Sequence, residues 1–248
     1  MRIRSIRRLA GLAGVAAVIG LATAAETTIP ESTTAELIKQ DIAFLQKGLA
    51  KEPQRKQVPG LKATAMMIAY YAQQQLGGPK AAEMAGLRDQ ALKVAEALAA
   101  KDYAKAKDAA KALSSPATGP TNPVELHKMH KIDISEIMAP FRSDRSGGMN
   151  IERDIRAQAK TVTDIPLVAT IAGRTVAIGE YTLYLPTGQA AANPARKKKW
   201  EDYTKEMLGH AKEIVSEASK PSPDKALLKK KLQALDASCT NCHNDYRD

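Results

Sequence analysis

Two cysteines and a histidine near the end of the sequence carry the clearest chemical signal in the chain. They stand as Cys239-Thr240-Asn241-Cys242-His243, with five residues after them. C-x-x-C-H is the attachment signature of c-type haem, in which two thiols add to the haem vinyl groups and the histidine binds the iron. The motif predicts one covalently attached haem c, with His243 as the proximal iron ligand. The few residues that follow it indicate that any second axial ligand comes from upstream.

Two other chemistries use the same residue types. A C-x-x-C pair can form a redox disulfide, although thioredoxin-like motifs open a helix after a strand, whereas this motif is expected to close a helix. The pair can also supply half of a zinc site, and His127-x-x-His130 would complete a set of two cysteines and two histidines. The histidine next to Cys242 favours haem over both alternatives.

The residues before the motif have the spacing of a buried helix. Leu228, Leu232, Leu235, Cys239, Cys242 and Tyr246 follow one another at steps of three or four. This is the seam of a helix packed in a bundle. Ser222-Pro223-Asp224 supplies a start signal, with a capping hydroxyl, a proline in the first turn and an acidic residue. We therefore expect the haem to lie in the interior of a helical bundle.

The N-terminus has the pattern of a secretory signal peptide. Arginines at positions 2, 4, 7 and 8 precede an apolar run from Leu9 to Leu21, and Ala22-Thr23-Ala24 resembles a cleavage site. Residues 1–24 are thus predicted to direct export to the periplasm, with no membrane segment left after cleavage. An uncleaved anchor is the alternative, although the apolar run is short for a membrane span.

The charge balance of the chain bears on its partners. The formal net charge is +10, and the signal segment contributes four of these charges through its arginines. Nucleic-acid binding is not expected outside the cytoplasm, and aromatic residues are too sparse for base stacking. Lysine runs at 197–199 and 229–231 indicate solvated helix faces that could steer acidic redox partners.

Helical periodicity dominates the rest of the chain. Helices are predicted at 33–50, 61–76, 80–100, 102–114, 124–139, from Asn150 to about 162, 165–184 and 195–219, before the helix that carries the motif. A Pro-rich stretch over 116–123, which follows Ser114-Ser115, indicates a linker. We therefore expect a haem-free, bundle-like domain over 25–115 and a second domain over 124–248. Val58-Pro59-Gly60-Leu61 resembles Ile165-Pro166-Leu167-Val168, which suggests a duplication of one helical unit.

The second half resembles the class II c-type cytochromes, the cytochrome c′ group. The resemblance rests on Cys239-x-x-Cys242-His243 followed by Tyr246-Arg247, and it covers about residues 124–248. It implies an all-α fold, an antiparallel four-helix bundle with haem on its last helix, and an arginine, Arg247, near the proximal histidine. The first half lies outside the resemblance and forms a second helical unit without haem.

In that family the first helix of the bundle meets the other face of the iron. By position this implies Met138 as the distal ligand, with Met129, Met149, His127 and His130 as rivals. Pro140 and Gly147-Gly148 interrupt the segment, so a loop could form the distal side instead.

These features favour a mono-haem electron-transfer protein without enzymatic activity of its own. The alternatives are a five-coordinate protein that binds nitric oxide or carbon monoxide, and a haem subunit of a larger redox enzyme. The expected partners are acidic redox proteins, together with a second copy of the chain in a homodimer.

Overall fold

The computed structural model describes residues 29–115, 117–129 and 132–246. All regular structure in these ranges is helical and no strand is present, which confirms the all-α prediction. The helices are α1 (Glu31–Gly48), α2 (Val58–Gln74), α3 (Ala81–Ala99), α4 (Tyr103–Ala112), α5 (Leu126–Met129), α6 (Ile134–Ile137), α7 (Ile151–Lys160), α8 (Ile165–Thr182), α9 (Gly188–Ala191), α10 (Pro194–Ala218) and α11 (Lys225–Tyr246). The signal segment, residues 1–24, lies outside the described part of the chain.

The long helices contact one another in two closed rings. In the first ring α1 packs on α2, α2 on α3, α3 on α4, and α4 returns to α1. In the second ring α7, α8, α10 and α11 close in the same order. The paired Val58-Pro59 and Ile165-Pro166 segments begin α2 and α8, which take the second place in each ring. This correspondence supports the duplication suggested by the sequence.

Side-chain contacts fix the relative directions of the helices in the second ring. Glu180 of α8 pairs with Lys212 of α10, and Thr182 O accepts from Trp200 Nε1. The later residue of α8 contacts the earlier residue of α10, so the two helices are antiparallel. Glu213 with Lys231 and Asp245 with Lys199 give the same relation between α10 and α11.

The core is continuous from one ring to the other. One apolar cluster includes buried residues from α1 to α4, α7, α8, α10 and α11. A buried ion pair also joins the rings, since Arg174 of α8 contacts Asp41 Oδ1 of α1 at 2.7 Å. Tyr181 of α8 donates to Met66 O of α2 at 2.9 Å. The chain is therefore not separated into two cores at residues 116–123.

The segment predicted as a linker is fastened to the first ring. Arg88 of α3 is 1% exposed and donates from Nη1 to Asn122 O (2.7 Å) and from Nη2 to Pro120 O (3.0 Å). Next to it, Gln73 of α2 both donates to and accepts from the backbone of Val124. These bonds hold the stretch against the first ring, so it is not a free linker.

Most predicted long helices are present, but one is replaced by short pieces. Residues 124–139 form only α5 and α6, with 130 and 131 outside the described ranges. A capping box between Asp133 and Glu136 starts α6 afresh, and Pro140 lies in a following 3₁₀ turn. The helix that packs against α11 as the first member of its ring is α7, which replaces 124–139 in that role.

The loop that leads into α7 rests on the start of α2. A Cβ at Gly60 would lie 2.0 Å from Gly147 O, so the two backbones meet without a side chain between them. Gly147 has φ +80°, a left-handed conformation that favours glycine. Asn150 precedes α7, but its side chain accepts from Asp144 N and does not cap the helix as predicted.

Candidate functional site

The helix that carries the motif packs as the sequence predicts. Leu228, Leu232 and Leu235 are fully buried, and Tyr246 continues the seam. Asp224 caps the helix through bonds from the backbone of Ala226 and Leu227, a role that the sequence assigned to Ser222. α11 then continues unbroken through the motif.

The three motif residues differ in burial. Cys239 and Cys242 are half-buried free thiols, whereas His243 is exposed. Cys239 packs against the main core, and Cys242 packs against a second apolar cluster of Ala190, Trp200 and Tyr246. The prediction that all three face the bundle interior is therefore corrected for His243, which lies at the edge of the seam.

The surroundings of both thiols keep them protonated. Burial, and next the carboxylate of Asp236, raise the pKa of Cys239 to about 12. Burial and the carboxylate of Asp245 raise the pKa of Cys242 to about 11. A thiol is nucleophilic as its thiolate, so folding lowers the reactivity of both cysteines at neutral pH.

An aromatic cluster fastens the end of α11 to the beginning of α10. Tyr246 donates to Arg196 O at 2.6 Å, and its ring meets Trp200 edge-on at a centroid distance of 5.4 Å. Tyr203 donates to Asp245 Oδ2 at 2.6 Å, and Lys199 Nζ lies 2.8 Å from the same oxygen. Nothing local in the sequence indicated that Trp200 and Tyr203 contact the helix of the motif.

Two contacts set the register between α11 and α7. Gln233 Nε2 donates to Ala159 O at 3.3 Å, and Arg156 Nε donates to Asp236 Oδ1 at 3.1 Å. From Gln233 to Asp236 the chain of α11 advances by three residues, while the contacted residue of α7 changes from 159 to 156. The two helices are therefore antiparallel. Continued to the first residue of α7, this register brings Ile151 level with Asn241, one residue before Cys242.

The candidate distal ligands lie in different places. Met138 at the end of α6 and Met149 before α7 are both half-buried and pack against the main core. Met129 is 51% exposed. His127 stacks on Tyr184 at 3.9 Å, on the wall of a separate cavity of about 240 Å³. His130 lies outside the described residues.

Ile134 of α6 lies beside two apolar clusters. It packs against the main core, which Cys239 also contacts, and against the second apolar cluster of Ala190, Trp200 and Tyr246, which Cys242 also contacts. Met138 follows one helical turn later, and its backbone N–H donates to Ile134 O at 3.1 Å. The segment that holds Met138 therefore borders the same two clusters as the two thiols.

The donor set is chemically suited to covalent haem. Two thiols stand one turn apart on a single helix, and the adjacent histidine is accessible. Within the described ranges, no three His, Cys, Asp or Glu side chains gather as metal ligands. His127 and the two cysteines are thus not assembled into the alternative zinc site there. Arg247, the remaining predicted site residue, lies outside the described residues.

Comparison with known proteins leaves the chain without a matching relative. No family model matches the sequence. No curated protein is significantly similar to it, and no solved structure matches the fold significantly. Among the helices that the structure describes, none is long and apolar enough to cross a membrane.

Proposed function

We propose that this chain is an exported, mono-haem c-type cytochrome that transfers electrons in the periplasm and has no catalytic activity of its own. The observation that carries the proposal is C-x-x-C-H on α11, with two half-buried thiols and an accessible histidine. In this proposal α7, α8, α10 and α11 form the antiparallel four-helix bundle that bears the haem. The resemblance of Cys239–Arg247 to class II cytochromes agrees with this assignment.

Each motif residue has a separate role. Cys239 and Cys242 would hold haem c through thioether bonds, and His243 would bind the iron as its proximal ligand. When bound, the haem supplies a one-electron couple between ferric and ferrous iron. The aromatic cluster of Trp200, Tyr203 and Tyr246 fixes the last turn of α11, so that His243 keeps a constant position during electron transfer.

Met138 is proposed as the distal ligand, and Arg247 as a neighbour of the proximal histidine. The support for Met138 is the packing of its segment against the two clusters that the thiols border. Met149 is the competing donor because it lies two residues before α7, whose first residue is level with Asn241. A distal thioether would keep the iron six-coordinate, which favours electron transfer over gas binding.

Absorption spectroscopy of the purified protein tests the proposal. After periplasmic expression with haem-attachment machinery, we expect one haem per chain that survives acid–acetone extraction and denaturing electrophoresis. Cys239→Ala/Cys242→Ala should abolish this haem, because no thioether can form. His210→Ala is a matched control, since His210 lies on α10 between Glu206 and Glu213. Wild-type protein that binds stoichiometric zinc and no haem would overturn the proposal.

A five-coordinate protein that binds nitric oxide or carbon monoxide is the second candidate. It is favoured by the broken segment 124–150, because short helices and turns replace the continuous helix of the family on the distal side. Rapid carbon monoxide binding by a high-spin wild-type protein would select this function.

A further inference from the structure

A basic segment lies beside the motif although it is distant in sequence. α10 begins at Pro194, and Arg196 to Lys199 lie within its first two turns. Arg196 O accepts from Tyr246, and Lys199 pairs with Asp245 at 2.8 Å. These bonds place the basic segment at the end of the molecule where α11 carries Cys242 and His243.

The cations of this segment are accessible. Arg196, Lys197, Lys198 and Lys199 are all exposed. Asp202 pairs with Lys198 and Asp245 with Lys199, whereas Lys197 has no ion pair in the described part of the chain. The basic segment thus carries four cations against the two carboxylates that pair with it, which leaves an excess of positive charge. On the α7 side of the motif, Arg156 pairs with both Glu152 and Asp236, so no positive excess lies there.

The second lysine run, residues 229–231, lies near the beginning of α11, whereas the motif lies near the end of this helix. Lys229 precedes His243 by 14 residues, about 21 Å along the axis of α11. Lys231 pairs with Glu213, and Glu217 accepts from the backbone of Asp224 nearby. This run is therefore remote from the motif and has acidic neighbours.

We propose that Arg196–Lys199, together with the motif end of α11, is a docking surface for an acidic face of a redox partner protein. The inference rests on the proposed function, because docking at this end brings a partner close to the haem. Clustered charge of one sign accelerates association with partners of opposite charge. Charge complementarity and exposure both identify an acidic protein as the occupant.

Oxidation of the reduced holoprotein by small ions measures the charge at this surface. Lys197→Glu/Lys198→Glu is compared with Lys229→Glu/Lys230→Glu, which changes the net charge by the same amount at the far end. With ferricyanide at about 0.1 M ionic strength, we expect the first variant to react about 10-fold more slowly than wild type. We expect the control variant to change by less than about twofold, since the Debye length of about 10 Å at 0.1 M separates it from the motif. With the cationic hexaammineruthenium(III) the order should invert.

Poly-L-glutamate then serves as a probe for an acidic macromolecule. It should slow ferricyanide oxidation of wild type and of the control variant, but not of Lys197→Glu/Lys198→Glu. Equal responses of the two charge-reversal variants in haem-loaded protein would overturn the docking surface and leave the proposed function intact. Absence of covalent haem in every sample would overturn both. Lys197→Gln/Lys198→Gln should give an intermediate rate, which excludes a folding defect as the cause.

Discussion

At the scale of single residues, the fold shields from solvent the two thiols that must react with haem. Haem attachment requires accessible, reactive sulfur, yet the fold half-buries Cys239 and Cys242 and raises the pKa of both thiols. The folded protein is therefore poorly suited to the attachment reaction. Attachment is expected to precede the docking of α11 against α7 and α10.

The protonation of the thiols predicts slow alkylation of the folded apoprotein. At pH 8 we expect iodoacetamide to react about 100-fold more slowly with the folded chain than in urea, because folding reduces the thiolate fraction. The pKa values of about 12 and 11 also predict that Cys239 reacts more slowly than Cys242. Mass spectrometry of Cys239→Ala and Cys242→Ala gives the two rates, and equal rates in folded and unfolded protein would contradict the prediction.

The same pKa shifts set the sign of a pH effect on apoprotein stability. Because folding raises both pKa values, the thiols stabilise the fold below the unfolded pKa of about 9. This contribution is lost as the pH rises towards 11 and 12. The holoprotein has thioethers in place of the thiols and should lack this dependence.

Met138→Ala tests the distal side. If Met138 binds the iron, the variant should change from low-spin to high-spin and bind carbon monoxide readily, as measured by absorption spectra. Truncation of a buried methionine costs about 2–5 kcal/mol, and half-buried Met138 should cost less, so circular dichroism is needed to check folding. Met129→Ala is the control because Met129 is exposed. A spectral change in Met149→Ala alone would transfer the role to Met149.

At the scale of elements, the two rings are joined by a buried ion pair whose carboxylate is fully shielded from water. Asp41 is 0% exposed, and Arg174 contacts its Oδ1 through both Nε and Nη2. Asp41 Oδ2 has no hydrogen-bond partner. Desolvation raises the pKa of Asp41, and the Arg174 guanidinium opposes this shift. The carboxylate therefore depends on Arg174 to remain charged inside the core.

Arg174→Met should destabilise the protein strongly. Removal of one partner from a buried ion pair costs about 3–5 kcal/mol, because the other charge stays buried without compensation. A raised carboxyl pKa gives stability at low pH that is lost as pH rises, so the variant should be more impaired at pH 7 than at pH 5. Urea unfolding followed by circular dichroism measures both effects.

Two further variants make the Arg174 experiment specific. Asp41→Leu/Arg174→Met removes both charges and should recover much of the lost stability. Lys39→Met, which removes an exposed pair with Glu36, should change stability little. A double variant as unstable as Arg174→Met would assign the effect to packing.

At the scale of the whole molecule, the shared core predicts the behaviour of a fragment. Residues 121–248 behind a signal peptide would lack α1 and α2, leaving Arg174 without Asp41 and Tyr181 without Met66 O. We expect this fragment to be poorly soluble or low in haem compared with the full chain. Soluble expression and haem content per chain measure this, and a fully loaded, cooperatively unfolding fragment would instead establish two independent domains.

The features predicted from sequence are those set by local pattern. α8 and α10 begin where Asp164 and Asn193 cap them, and the spacing of Leu228, Leu232 and Leu235 correctly gave the buried side of α11. These signals lie within a few residues of the element that they define. The thiols were placed on the correct helix for the same reason.

The features missed depend on contacts between distant residues. The anchoring of 120–122 comes from Arg88, more than 30 residues earlier, and the end of α11 is held by residues of α10. Pattern alone gives no information about such distant partners. Segment 124–139 is different, because the capping box of Asp133 and Glu136 that divides it is a local sequence signal, which the helical periodicity of the segment obscured.

The two rings also bear on self-association. α8 presents Arg174 and Gly173 to α1, and Tyr181 to α2. In a protein made of the second ring alone, this flank of α8 would be open to a second copy. Here the first ring of the same polypeptide covers this flank of α8 and occupies the place that a second subunit would take. Any homodimer of this protein must therefore form through a different surface.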